Sequence, residues 1–183
     1  MIATIVLLLA ALTRLFPHHV IHAVGLNFTA VGAGLLFFGS RRPRWQAVLA
    51  AAVMAVTDIY LTMFVYHFPF HVSAYLVTWA WYAAVCLMGS QLLRKVTVLR
   101  VVAGVFASAT SFFLLSNFVV WMGGMYTHNV YGLGMCYFNA LPFYANDLIS
   151  TGLVSGVLFG LPVVAAKMVE TMRSAQSSGQ PLA

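Results

Sequence analysis

Acidic side chains are rare in this sequence, so each one is a candidate for chemistry. The chain has 183 residues and only 3 acids, which are Asp58, Asp147 and Glu170. Asp58 lies inside an apolar stretch, where a carboxylate costs about 2.5–3.5 kcal/mol on membrane-insertion scales unless it is compensated. Arg14 lies near the outer end of another apolar stretch, at a similar depth. We therefore predict a buried Arg14–Asp58 ion pair, which either stabilises the helix bundle or meets a charged ligand from outside.

Asp147 and its neighbour Asn146 stand at the predicted outer start of the last apolar helix. Asn and Asp favour helix N-termini, where they accept hydrogen bonds from free N–H groups and oppose the helix dipole. We interpret Asp147 as such a cap. Glu170 lies at the cytoplasmic end and is interpreted as a solvated charge.

All histidines fall on one side of the predicted membrane, after the first, third and fifth apolar stretches. They are His18, His19, His22, His67, His71 and His128. Imidazole with thiol and thioether groups suits Cu(I), and imidazole alone suits Zn, Ni or Co. One hypothesis is a transition-metal site formed by His18, His19, His22, His128 and Cys136. The alternative is that each histidine is an interfacial residue bonded to water or to a backbone carbonyl.

Nearly all lysines and arginines fall on the opposite side, after the even-numbered stretches. They are Arg41, Arg42, Arg44, Arg94, Lys95, Arg100, Lys167 and Arg173. Short cytoplasmic connections of membrane proteins carry this excess of positive charge. The pattern predicts that both termini are cytoplasmic, and it explains the net charge of +6 without nucleic-acid binding.

Composition predicts that lipid covers most of the surface. Hydrophobic residues make up 62% of the chain and charged residues 7%, whereas soluble domains carry roughly 25% charged residues. The apolar runs are continuous, which favours helices over a β-barrel. We predict an all-α membrane protein with six transmembrane helices, over residues 2–16, 27–39 (or from 23), 45–66, 71–93, 97–122 and 146–169. They form one domain over 1–173, followed by a polar, disordered cytoplasmic tail over 174–183.

The connection over residues 125–145 is rich in aromatic side chains and contains no Asp, Glu, Lys or Arg. Long loops without charge are uncommon and often functional. We predict a structured outer loop between helices 5 and 6. Its aromatic side chains, amides and hydroxyls are typical of a small-molecule pocket. The alternative is an aromatic belt at the membrane interface.

Small residues recur at every fourth position in two helices. They are Gly152, Gly156 and Gly160 in the sixth helix and Ala47, Ala51 and Ala55 in the third. Such stripes allow close packing in lipid, either within this bundle or onto a partner membrane protein. No nucleophile–base pair, phosphate-binding loop or paired carboxylate site occurs, so we do not predict an enzyme.

Several sequence strings resemble a family of uncharacterised bacterial integral membrane proteins. They are RLFPHH (14–19), NFTAVGAGLLFFG (27–39), TDIYL (57–61), SATSFFLLSNFVVW (108–121), YGLGMCYFNALPFYANDL (131–148) and LFG (158–160). In its six helices, size and topology, that family is similar to the substrate-binding S components of energy-coupling-factor (ECF) vitamin and metal transporters. The stripe of alanines by which S components often dock is interrupted here, because Leu7 stands between Ala3 and Ala11.

The resemblance implies a transporter subunit of the bacterial cytoplasmic membrane that captures a small molecule or metal ion at its outer face. An energising membrane subunit with ATPases would be its partner. The substrate-binding residues expected from the residue patterns and the resemblance are Arg14, Asn27, Asp58, Asn117, Trp121, Tyr126, Tyr137 and Asn146, with His18 and Cys136 also near the ligand. Two rival readings remain open, namely a non-catalytic accessory subunit of a larger membrane complex and a copper- or haem-handling protein.

Overall fold

The computed structural model describes residues 1–15 and 29–178, with side chains described as far as residue 174. These residues form helices and no strand. The helices are α1 (Ile2–Thr13), α2 (Val31–Arg41), α3 (Ala47–Tyr60), α4 (Val72–Leu92), α5 (Val98–Met122) and α6 (Val130–Ser178). A 3₁₀ turn, Arg44–Gln46, leads into α3, and a π-helical segment, Leu61–Val65, continues it. The predicted all-α class is confirmed.

Four helical stretches are long and apolar enough to cross a membrane. They are Arg44–Val65, Val72–Leu92, Val98–Met122 and Val130–Ser174, which indicates a multi-pass membrane protein. The helices α1 and α2 have 12 and 11 residues. At 1.5 Å per residue each is about 16–18 Å long, little more than half of a hydrocarbon core of about 30 Å. In their described extents, α1 and α2 are therefore too short to be the spans that the sequence predicted.

The helix α2 forms the centre of the bundle. Every residue from Val31 to Gly39 is buried, and α1, α4 and α6 pack around it. A Cβ added at Gly39 would lie 1.9 Å from the carbonyl oxygen of Cys86, and one at Gly89 would lie 2.4 Å from that of Leu36. The backbones of α2 and α4 are thus in direct contact, and this close approach requires glycine on both helices.

The end of α2 lies beside the start of α1. The guanidinium of Arg42 donates a hydrogen bond to Thr4 Oγ1 at 2.6 Å. The two helices are therefore antiparallel, and the far end of α1, which carries Arg14, lies towards the end of the bundle remote from Arg42.

The helix α6 begins much earlier than predicted. It starts at Val130 and runs through Pro142 and Pro162 without interruption, so the connection after α5 is only residues 123–129. The predicted outer loop over 125–145 is wrong beyond Asn129. Gly132, Gly134 and Pro142 lie within this helix, because glycine and proline are tolerated in membrane helices whose neighbours satisfy the freed backbone groups. The helix also includes Ser174–Ser178, the first residues of the predicted tail, while residues 179–183 lie outside the described part.

Candidate functional site

An ion pair joins the end of α1 to the C-terminal half of α3. Arg14 is the C-cap residue of α1, and its Nη2 atom donates to Asp58 Oδ1. Its Nη1 atom donates to Thr57 Oγ1 at 2.7 Å and reaches the carbonyl oxygen of Met54 at 3.4 Å. The predicted pair is present, and the guanidinium is fixed by several bonds to one turn of α3.

The helix α4 completes the coordination of Asp58. Trp79 Nε1 donates to Oδ2 at 3.0 Å, and the Tyr82 hydroxyl reaches Oδ1 at 3.4 Å. The Tyr82 ring also lies 5.9 Å from the guanidinium carbon of Arg14. Both carboxylate oxygens therefore accept bonds from donors on other helices, which compensates the charge that the sequence places inside the bundle.

The two members of the pair differ in exposure. The side chain of Asp58 is 4% exposed, whereas that of Arg14 is 18% exposed. The cationic member is thus the one that a molecule outside the pair can reach.

A π-helical segment follows directly after Asp58. Thr62, in this segment, donates its hydroxyl to the carbonyl oxygen of Asp58 at 2.7 Å and is 2.6 Å from the Tyr75 hydroxyl. The segment ends at Val65 with Tyr66 as its C-cap, and the next residue, His67, has a positive φ of 55°. Single π-helical turns occur frequently at functional sites, and this one begins within one turn of Asp58.

Three stacked aromatic rings border the site on the α4 side. The Phe70 and Tyr75 ring centroids are 5.1 Å apart, and each is 6.2 Å from that of Trp79. All three side chains are half-buried. Because Trp79 also binds Asp58, the stack and the ion pair form one structure. We call Arg14, Asp58, Trp79, Tyr82 and this stack the Arg14–Asp58 centre.

Several other predicted ligand residues gather at a different place, between the C-terminal half of α5 and the N-terminal part of α6. The Cys136 thiol donates to the carbonyl oxygen of Asn117 at 3.4 Å, and the Tyr137 hydroxyl donates to that of Leu114 at 2.7 Å. The Asn117 amide donates back to its own helix, to the carbonyl oxygen of Phe113 at 2.7 Å. The contacts of these residues pack α6 against α5.

Hydrogen bonds of side chains hold the short α5–α6 connection against the two helices that it joins. Trp121 Nε1 donates to the carbonyl oxygen of Thr127 at 2.9 Å, and His128 Nε2 lies 3.0 Å from the carbonyl oxygen of Trp121. The Asn139 amide donates to the Tyr126 hydroxyl at 3.3 Å. These bonds give Trp121, Tyr126 and His128 structural partners within the connection or in the two helices that it joins.

The predicted metal site is only partly within the described chain. His18, His19 and His22, with the predicted ligand residue Asn27, lie outside the described residues. Among residues 1–15 and 29–178, no three His, Cys, Asp or Glu side chains are close enough to share a metal ion. The metal site therefore stays a prediction.

Asp147 is not the helix cap that the sequence predicted. It lies well inside α6, because that helix begins at Val130. Its carboxylate accepts a hydrogen bond from Thr151 Oγ1 at 3.3 Å, and the side chain of Thr29 lies close to it. Asn146 is half-buried beside it.

The family model described as Family of unknown function (DUF6580) matches residues 1–173. The chain belongs to this family. No curated protein and no solved structure matches it. The predicted membership of an uncharacterised family is thus confirmed, and the matched region includes Arg14, Asp58 and Asp147.

Sequence analysis missed four residues of the Arg14–Asp58 centre in this DUF6580 protein, which are Phe70, Tyr75, Trp79 and Tyr82. Trp79 and Tyr82 are three positions apart and therefore share one face of α4. Their spacing was visible in the sequence. However, aromatic residues make up 14% of the chain, so two of them on one face of a membrane helix are not a distinctive signal.

Proposed function

We propose that this protein is the substrate-binding subunit of a transporter in the bacterial cytoplasmic membrane, resembling an S component. It captures a small molecule at the outer side. The observation that carries the proposal is the Arg14–Asp58 centre, a charged pair held by three helices and bordered by half-exposed stacked rings. Aromatic walls with a few fixed polar groups are typical of small-molecule sites.

The exposure of the pair favours an acidic ligand. Both oxygens of Asp58 already accept bonds from Arg14, Trp79 and Tyr82. Arg14 is more exposed, and a guanidinium carries five N–H donors in a planar fork that suits carboxylates. The adjacent stack offers aromatic faces to a ring. The ligand class that fits is a planar small molecule with a carboxylate.

The proposed orientation places both termini and the basic connections in the cytoplasm. The Thr4–Arg42 hydrogen bond supports it, because it sets the start of α1 beside the arginines that follow α2. Arg94 and Lys95 precede α5, and Lys167 lies in the second half of α6. These positions are typical of cytoplasmic ends, and they support the proposed location of the Arg14–Asp58 centre in the outer half of the bundle.

Thermal-shift screening of the purified protein tests the proposal. The panel contains vitamins, other planar carboxylates and, in parallel, divalent metal ions. We expect a planar carboxylate to raise the Tm of the wild-type protein. Phe70→Leu, which removes one ring of the stack, should weaken that effect. Phe118→Leu is the matched control, because Phe118 stacks with Trp121 on another helix. If no compound stabilises the folded protein, or if both variants respond alike, the proposal is wrong.

A second function, an accessory subunit of a larger membrane complex, is favoured by one observation. A groove of about 620 Å³ runs between α5 and α6, lined mainly by valines, Phe106 and the stripe Gly152, Gly156 and Gly160. A Cβ added at Gly156 or Gly160 would meet no atom within 4 Å. The glycines therefore leave open a surface that the helix of another membrane protein could approach closely.

Purification of the protein in mild detergent separates the two functions. A stoichiometric membrane partner with ATPases supports the transporter subunit. A stoichiometric complex of respiratory or photosynthetic proteins, together with no ligand in the thermal-shift screen, supports the accessory subunit.

A further inference from the structure

A second buried polar cluster lies where α2, α5 and α6 meet, away from the Arg14–Asp58 centre. Thr151 of α6 is 0% exposed and Ser108 of α5 is 1% exposed. Asp147 lies one turn before Thr151, and Thr29 directly precedes α2. Four oxygen-bearing side chains from different parts of the chain thus meet within an otherwise apolar bundle.

The hydrogen bonds of this cluster leave oxygen lone pairs unused. The hydroxyl of Thr151 donates to the carboxylate of Asp147, and the side chain of Thr29 lies close to the same carboxylate. A hydroxyl that donates its hydrogen retains lone pairs that can accept. The Ser108 hydroxyl is buried and has no hydrogen-bond partner, although it lies on a helix whose preceding turn offers carbonyl oxygens.

Gly32 allows the hydroxyls of Ser108 and Thr151 to pack directly against the backbone of α2. A Cβ built there would lie 2.8 Å from Ser108 Oγ and 3.0 Å from Thr151 Oγ1. Both oxygens therefore lie against α2 at the same residue, which places the Ser108 hydroxyl near Thr151, the donor to Asp147.

The negative charge of Asp147 determines which kind of ion this cluster can bind. The described partners of Asp147 are neutral hydroxyls, and the salt bridge found in the described part of the chain is that of Arg14 with Asp58. An intramembrane carboxylate requires compensation by a proton or a cation. A monovalent cation with one carboxylate makes the site neutral, whereas a divalent cation would leave a net positive charge.

We propose that Asp147, Thr29, Thr151 and Ser108 bind a sodium ion. All four offer hard oxygen ligands, and the cluster contains no sulfur or imidazole that would favour a transition metal. The site lies at the junction of three helices, so its occupancy stabilises their packing. The inference goes beyond the proposed substrate site and does not depend on it, because none of its residues belongs to the Arg14–Asp58 centre.

Sodium-dependent unfolding of the purified, full-length protein tests the site. A ligand that binds only the folded state raises the Tm with its concentration. We expect the Tm of the wild-type protein to rise saturably when NaCl replaces choline chloride at constant ionic strength. Asp147→Asn should abolish this rise. Glu170→Gln, which removes an exposed acid, should retain it.

Direct binding of ²²Na⁺ to the purified protein provides the second measurement and does not rely on a substitution at Asp147. Ser108→Ala should weaken the binding by about tenfold, the loss expected when one bond to a charged group is removed. Ser90→Ala is the matched control, because the Ser90 hydroxyl donates to the carbonyl oxygen of Leu87 within its own helix.

Three results would overturn the proposal. They are an equal Tm of the wild-type protein in sodium and choline, a full sodium response in Asp147→Asn, and equal ²²Na⁺ binding by Ser108→Ala and the wild-type protein. Stabilisation by acid that is the same in both salts would also overturn it, because it identifies a protonated Asp147 instead of a sodium site.

Discussion

Arg14 and Asp58 are separated in the chain by the whole of α2 and most of α3, yet they form an ion pair that fixes the end of α1 to the C-terminal half of α3. The pair is not isolated, since Trp79 and Tyr82 bring α4 to the same carboxylate. One buried charge therefore holds three helices in register. Its partners can be removed one at a time, so the contribution of each to stability is measurable.

Arg14→Leu should destabilise the protein by about 3–5 kcal/mol, because it leaves the carboxylate of Asp58 buried without its cation. The double variant Arg14→Leu/Asp58→Asn should recover part of this loss, because no unpaired charge remains. Unfolding in detergent, followed by tryptophan fluorescence, measures both. An Arg14→Leu protein as stable as the wild type would show that the pair contributes nothing to the fold. If Arg14→Leu folds and loses only ligand binding, the pair acts in binding.

Trp79→Phe should lower stability by about 1–3 kcal/mol, because it removes the indole donor from a buried carboxylate oxygen while keeping an aromatic ring. Trp45→Phe is the matched control, since Trp45 is 66% exposed and exposed substitutions usually change stability by less than about 0.5 kcal/mol. The Tm of both variants, measured in the same detergent, makes the comparison. Equal Tm values for the two would mean that the Trp79–Asp58 bond does not stabilise the protein.

Gly39→Ala should be strongly destabilising, because its methyl group would overlap the backbone of α4 and the two helices would have to separate. Overpacking of this kind costs about 1–3 kcal/mol and occasionally more. Gly156→Ala should be neutral or stabilising by up to about 1 kcal/mol, since the position is open and alanine has the higher helix propensity. Thermal unfolding of the two variants distinguishes them, and a greater loss for Gly156→Ala would contradict the packing of α2 on α4.

The sequence was informative where a single physical requirement dominates. Apolar runs ended by Pro43, Pro69 and charged residues predicted α4, α5 and the continuous helical stretch of α3 with its flanking 3₁₀ and π-helical segments to within about two residues, the usual uncertainty of helix ends. The cost of a charge in lipid predicted that Asp58 would have a cation as partner, and Arg14 was the basic residue at matching depth.

Other features depend on three-dimensional neighbours and could not be predicted in this way. Any glycine of a membrane helix can mark a close approach, and the sequence favoured the stripe of α6 over Gly39 and Gly89 because only the stripe is periodic. Likewise, Pro142 ends a helix when nothing else satisfies the freed carbonyl, and it is tolerated when neighbouring helices pack around it. The sequence does not reveal which case applies, so the start of α6 was placed too late.

The continuity of α6 through Pro142 is itself testable by hydrogen–deuterium exchange of the protein in lipid nanodiscs. Amides over residues 134–141 should exchange slowly, like those in the middle of α5, because each is bonded within the helix. Amides over residues 123–129 should exchange fast, since this connection carries few backbone bonds. Tyr131 and Phe138 are 74% and 67% exposed, so slow exchange here would come from helical bonding more than from burial by protein. Fast exchange across the whole of 125–145 would restore the loop that the sequence predicted and would remove Asp147 from the interior of a helix.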